Sequence, residues 1–281
     1  MKRVLVVIAA LALSLVTSVP AFAEEDESSY YLGLGDSVAF GYTPRQVTPP
    51  SNYLNAANFV GYPEMVAKAL ELTDNNASCS GEATGGFISR TSSNDNGCQT
   101  GYRLVYPLHV AYSTSQLDYA VAFLNAHRHS TKLVTINLGA NDVFHLQTIC
   151  GGAATACFVA GLPAVIATMQ ANLGQIFAAL RATGYKHKIV ALTYYALVYD
   201  LAGAQGAALL NTPMINAAGP YNVRIASGFD AFKPLALLHG GSSCAAGLII
   251  ALPAGGCDVH PTPLGHALLA AAVLHAVGED D

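Results

Sequence analysis

Short apolar, β-branched runs recur along this sequence, and stretches with helical spacing separate them. Residues 30–34 (YYLGL), 132–138 (KLVTINL) and 188–195 (KIVALTYY) read as strands, with a weaker one at 222–226. The second and third are near-continuous in apolar residues, as expected of parallel strands buried on both faces. Between them, residues 58–72 (NFVGYPEMVAKALEL), 116–126, 162–183 and 263–277 carry apolar residues at helical spacing. Pro63 is placed to open the first of these helices, and Gly184 suits the end of the third. Alternation of this kind predicts a mostly parallel sheet with helices on both faces, a three-layer α/β/α sandwich. Residues 74–101, rich in Ser, Asn, Gly and Thr, read as a loop. No internal repeat and no linker divides the chain.

The N-terminus predicts the compartment. Lys2 and Arg3 precede an apolar run over 4–16, and Ala21-Phe22-Ala23 forms a small-x-small cleavage site. That pattern is a secretory signal peptide over residues 1–23, too short to be a comfortable membrane span. Residues 24–281 are then expected as one exported, soluble domain, with no second run of membrane-spanning length. Six cysteines suit an oxidising compartment. They fall in three local couples, Cys79 with Cys98, Cys150 with Cys157 and Cys244 with Cys257; this is one of 15 possible connectivities. No two cysteines stand at CxxC spacing, so a metal site is not expected. With net charge −5 and no basic stripe, nucleic acid is not an expected partner.

Three polar corners carry the chemistry. The first strand ends at Gly35-Asp36-Ser37, the strand from Lys132 at Gly139-Ala140-Asn141-Asp142, and Cys257-Asp258-Val259-His260-Pro261 precedes the last helix. In an open α/β sheet, ligands bind beyond the carboxyl ends of the strands. A serine nucleophile needs a base for its proton and donors for the oxyanion that forms. Ser37, His260 and Asn141 supply all three roles if the fold brings these corners to one sheet edge.

These blocks resemble those of the GDSL (SGNH) hydrolases. Gly35-Asp36-Ser37-Val38 with Gly41 is similar to the family's first block, Gly139–Asp142 to its GxND block, and Asp258–Pro261 to its DxxHP block. Cys79-Ser80-Gly81 stands where the family places the glycine of its second block, with Gly85 and Gly86 close by. Longer stretches, NFVGYP, PLHVAY and CDVHPTPLGH, resemble secreted bacterial lipases and esterases. The resemblance implies Ser37 as nucleophile, His260 as general base, and an oxyanion hole of the Ser37 N–H, the Gly81 N–H and the Asn141 side chain. It departs from the family at one point. The acid usually lies three residues before the histidine, where this chain has Cys257, while Asp258 lies two before. Either Asp258 or a backbone carbonyl, such as that of Cys257, orients His260. The competing G-x-S-x-G elbow of α/β-hydrolases is absent at Ser37.

The expected activity is hydrolysis of carboxylic esters, acyl lipids among them, by a monomer without cofactor or metal. An acyltransferase with the same residues and an inactive binding protein on the same fold are the rivals; a metal-dependent hydrolase is a third. Asp36 reads equally as an Asx-turn and as a brace of the serine loop. Asp142 reads as a support of its loop, and the His127/His129 pair as a solvated helix end. His266 is a candidate partner of His260, and His145 a candidate for the cleft wall. His109 reads as a satisfied polar residue, and the tyrosines Tyr42, Tyr53, Tyr194 and Tyr195 mostly as core or rim, with one or two open to contact an acyl chain.

Overall fold

The computed structural model describes residues 28–278; the signal-peptide expectation for residues 1–23 lies outside them. Strands β1 (Tyr30–Gly35), β2 (Thr73–Asn76), β3 (Thr131–Asn137), β4 (Lys188–Leu192) and β5 (Arg224–Ala226) form one sheet in the order β2-β1-β3-β4-β5, every pair parallel. A separate antiparallel pair joins β6 (Ile249–Ala251) to β7 (Cys257–Pro261). The helices are α1 (Ser37–Phe40), α2 (Tyr62–Ala69), α3 (Thr84–Ile88), α4 (Arg103–Val105), α5 (Gln116–His127), α6 (Ala140–Ile149), α7 (Ala156–Ala182), α8 (Leu201–Ala218), α9 (Gly228–Leu238) and α10 (Pro263–Gly278).

Period-two alternation along the strands builds two cores. Leu32 and Leu34 of β1, Val134 and Ile136 of β3, and Ile189 and Ala191 of β4 face α5, α7 and α8, meeting Leu124, Phe177 and Met214. Tyr31, Leu133, Val190 and Leu192 face the other way, toward Val66 of α2, Phe232 of α9 and Leu269 of α10. A smaller aromatic cluster of Phe40, Tyr53, Phe59 and Tyr102 lies under the loops after α1. These are the three expected layers. The order also has a switch point: from β1 the chain crosses outward to β2 and later returns to β3 on the opposite side. The crevice between the carboxyl ends of β1 and β3 is where such sheets take ligands.

Several elements differ from the sequence expectation. The stretch 74–101 holds β2, α3 and a π-turn at Cys98–Tyr102. The strand TDNN has no apolar alternation because it lies at the sheet edge, paired only to β1. Helix α2 starts at Tyr62, since Gly61 is extended and its N–H donates to Glu64 Oε2 at 2.8 Å. Helix α7 begins at Ala156, capped by Thr155, so Pro163 lies well inside it. By length and composition α7 could cross a membrane, contrary to the expectation that no second such run follows. Its stripe of Met169, Leu173, Ile176, Phe177 and Leu180 is buried in the core of the sheet. The disulfides are Cys79–Cys98, Cys150–Cys157 and Cys244–Cys257.

Candidate active site

The serine corner is made by a close approach of two strands. Gly35 ends β1 at φ +138°, and a Cβ there would lie 2.2 Å from the Asn137 carbonyl oxygen of β3. Only glycine lets the strands meet so closely in this conformation. The chain then turns into α1, with Asp36 as N-cap accepting the Val38 N–H at 2.9 Å. Ser37 opens α1 beyond the sheet edge.

Histidine reaches it from the β6–β7 pair, 223 residues away in sequence. His260 Nε2 lies 2.8 Å from Ser37 Oγ. Asp258 Oδ1 bonds Nδ1 of the same ring and also accepts the His260 backbone N–H at 3.0 Å. Of the two groups open to orient the ring, the structure thus brings the Asp258 carboxylate to it. Burial alone would raise that carboxyl, but the hydrogen bond and charge of His260, with the His260 and Val259 N–H groups, hold it below its ordinary value. Tyr42 packs against the other side of the ring, centroids 4.8 Å apart, and the Tyr195 hydroxyl donates to the Val259 carbonyl. The Cys244–Cys257 bridge anchors the start of β7.

Asn141 stands in the first turn of α6, just past β3, buried beside Ser37 and His260. Its Nδ2 lies 3.4 Å from Asp36 Oδ2, and its Oδ1 accepts from Asn96 Nδ2 at 2.8 Å. Gly81, at φ +82°, lies two residues past Cys79, whose N–H donates to the Gly35 carbonyl at 3.1 Å. Gly81 is therefore tied to the serine corner, while Gly85 and Gly86 belong to α3.

Other residues join these corners without any motif to flag them. The Tyr194 hydroxyl donates to Asp36 Oδ2 and accepts the Ala140 N–H at 3.1 Å, so it links the serine and asparagine corners. Burial pushes the Asp36 carboxyl up to about 6, opposed by Tyr194, the Val38 N–H and the charge of His260. Asp36 is both turn and brace. Gln116 clasps the Gly35 peptide, accepting from its N–H at 2.6 Å and donating to its carbonyl at 3.0 Å. Its amide also donates to Glu82, the residue after Gly81, at 3.2 Å.

Asp142 supports a loop, accepting from the Thr84 N–H and the Asn94 side chain at 2.9 and 2.6 Å. His145 does not line the cleft. It borders a separate cavity with Asp142, Leu146 and Ile149 of the same helix, while Ala140, Asn141 and Phe144 line the cleft. His266 is buried with Nδ1 unpartnered, and burial, then the charge of His260, lowers it to about 3; no hydrogen bond joins it to His260 among the described residues. His127 packs with tilted rings against Tyr30 and Phe123, and His109 bonds the Phe40 carbonyl. Tyr53 belongs to the aromatic cluster after α1. Cys79, Glu82 and Cys98 converge, but both sulfurs are bonded to each other.

A cavity of about 460 Å³ opens at Ser37, Asn141 and His260. Phe144, Leu197, Val198 and Leu210 form its walls, and small residues of α8, Ala202, Gly203 and Gly206, leave it room. No lysine or arginine lines it.

The fold is shared with solved structures of low sequence identity. A catalytic variant of Axe2, an acetylxylan esterase from Geobacillus stearothermophilus, is 16% identical with a TM-score of 0.52, covering 89% of this chain and 95% of its own. LAE5, an α/β hydrolase enzyme from the metagenome of Lake Arreo, Spain, is 17% identical with a TM-score of 0.51 over 89% and 95%. The lipase Lip_vut3 from a goat rumen metagenome is 14% identical with a TM-score of 0.51 over 89% and 97%. No curated protein sequence matches the chain. The family model for GDSL-like lipases and acylhydrolases matches residues 34–268, a span that includes all three polar corners. The chain belongs to the GDSL-like lipase/acylhydrolase family and is a carboxylic ester hydrolase.

Proposed function

We propose that the chain is a secreted serine hydrolase of esters with apolar acyl chains, working through an acyl-enzyme on Ser37. The observation that carries the reading is the unbroken hydrogen-bond chain from Ser37 Oγ through the His260 ring to Asp258. In the first step Ser37 Oγ attacks the ester carbonyl while its proton passes to His260 Nε2. Asp258 holds the proton on Nδ1 and stabilises the imidazolium that forms. The negative oxygen is received by the Ser37 and Gly81 N–H groups and by Asn141 Nδ2. Collapse breaks the bond to the alcohol, which takes the proton from Nε2 as it leaves. A water molecule, deprotonated by His260, then attacks the acyl-enzyme and releases the acid and Ser37. Losing one oxyanion donor costs about 10²–10³ in rate.

The substrate class rests on the cavity. Its walls are mostly apolar, with Asp36 and Asp200 among them and no lysine or arginine, which suits an acyl chain better than an anionic headgroup. Export rests on the leader over residues 1–23, with 24–281 acting as one catalytic domain. N-terminal sequencing of protein recovered from culture medium tests it; a start other than Glu24 refutes the cleavage site.

The decisive assay is hydrolysis of p-nitrophenyl esters from acetate to palmitate by wild type and Ser37→Ala. Activity on the longer esters, lost in Ser37→Ala together with labelling by a serine-directed phosphonate, is the expected result. Equal activity of both proteins refutes Ser37 as nucleophile. An inert wild type that takes no phosphonate moves the binding-protein reading forward. Ester products formed with an added acceptor alcohol identify an acyltransferase.

A further inference from the structure

Two of the three proposed oxyanion donors are backbone N–H groups, whose directions follow the main chain. The third is a side-chain amide, and the terminal torsion of asparagine is soft. Turned over, Asn141 would offer an acceptor where a donor is needed. Something must choose its orientation.

At Asn141 both ends of the amide have neighbours. On one side Nδ2 faces Asp36 Oδ2 at 3.4 Å, too long to be a firm hold. On the other, Oδ1 accepts from Asn96 Nδ2 at 2.8 Å. Turning the amide over would set two NH₂ groups against each other at Asn96 and an oxygen against the Asp36 carboxylate. The short bond to Asn96 is therefore what keeps the donor end on the Ser37 side.

The same residue meets the second donor. The Asn96 N–H donates to the Gly81 carbonyl at 3.1 Å, and the Asn96 carbonyl oxygen would lie 2.6 Å from a Gly81 Cβ. The backbone turn that carries Asn96 is held firmly. The Asp95 carboxylate accepts the N–H groups of Cys98, Gln99 and Thr100 at 3.0–3.1 Å. The Cys79–Cys98 disulfide closes the segment back onto the strand end before Gly81.

We propose that Asn96 is the positioning residue of the oxyanion hole, orienting the Asn141 amide and bracing Gly81 from behind. The inference rests on the serine-hydrolase reading above. Donors fixed before reaction need no reorganisation when charge develops, so Asn96 acts on the transition state and not on substrate binding.

A double-mutant cycle with p-nitrophenyl butyrate tests it. Asn96→Ala should lower kcat by about 10- to 100-fold, the scale of a small misplacement of a catalytic group, with KM unchanged. Affinity for a trifluoromethyl ketone, which mimics the tetrahedral species, should fall by the same factor. Asn141→Ala should lose about 10²–10³, and the double variant should be no slower than Asn141→Ala alone. Losses that multiply in the double variant, or wild-type kcat in Asn96→Ala, overturn the proposal. If Asn96→Ala fails to fold, Asn96→Asp replaces it. That isosteric variant keeps the backbone bond but sets an acceptor against Asn141 Oδ1, and wild-type kcat in it is equally fatal. If Asn141→Ala keeps full activity while Ser37→Ala is dead, the oxyanion assignment itself falls and the nucleophile survives.

Discussion

Glu82 sits next to Gly81 with no exposure to solvent. Burial pushes its carboxyl from an ordinary 4.5 up to about 8, against the opposing hydrogen bonds from Gln99 and Gln116. The folded protein therefore holds a proton that the unfolded chain has released across that interval. The Glu82 contribution to stability is fully present below pH 4.5, falls as pH rises toward 8, and is level beyond it. At about 1.4 kcal/mol per pH unit, the whole window is worth at most about 5 kcal/mol. Glu82→Gln has no proton to release and removes this slope. Its own NH₂ must face the amide donors of Gln99 or Gln116, a mismatch costing about 1–3 kcal/mol. The variant should thus be less stable than wild type at pH 5 and more stable at pH 9, with the two curves crossing between. Urea unfolding followed by circular dichroism at pH 5, 6.5, 8 and 9 measures the difference. Asp36, raised to about 6, titrates in both proteins and cancels. Parallel stability curves would refute a neutral Glu82 in the folded core.

Asp258→Asn should lower kcat by about 10²–10³ with little change in KM. The loss is smaller than the ~10⁴ of a buried triad acid, because the Asp258 side chain is 24% exposed; unchanged kcat would show that a backbone carbonyl suffices. Replacing Cys244 and Cys257 together by serine frees a 13-residue separation, worth about 3 kcal/mol. Activity should disappear at a lower urea concentration than the far-UV signal, because β7 carries His260; coincident loss argues against local loosening. Gly206 lines the cavity from α8, and a Cβ added there meets nothing within 4 Å, so Gly206→Leu has room to place its side chain at that wall. The rate ratio of p-nitrophenyl decanoate to acetate should fall by at least tenfold, and an unchanged ratio would place the acyl chain elsewhere.

Buried parallel strands were legible because both their faces must be apolar. Residues 132–138 and 188–195 therefore announce β3 and β4 to within a few positions. The corners at Ser37, Asn141 and His260 were legible for a related reason, since polar residues abruptly ending such runs need a use. Strand β2 was hidden because an edge strand of TDNN is held by main-chain bonds that leave no side-chain pattern. The start of α7 was hidden by Pro163, an ordinary opening signal that lies here inside the helix.

The amino-acid order alone determined the layers, the mostly parallel character of the sheet and the three residue types of the site, since these follow from local periodicity and from the chemistry of short motifs. Only the tertiary structure decided that Asp258 reaches the ring of His260, that Tyr194 meets Asp36 across 158 residues, and that Asn96 turns the amide of Asn141 across 45. The reason is physical: a contact between distant segments is fixed by strand order and by the packing of whole elements. No residue type announces such a contact until the fold has brought its partner near.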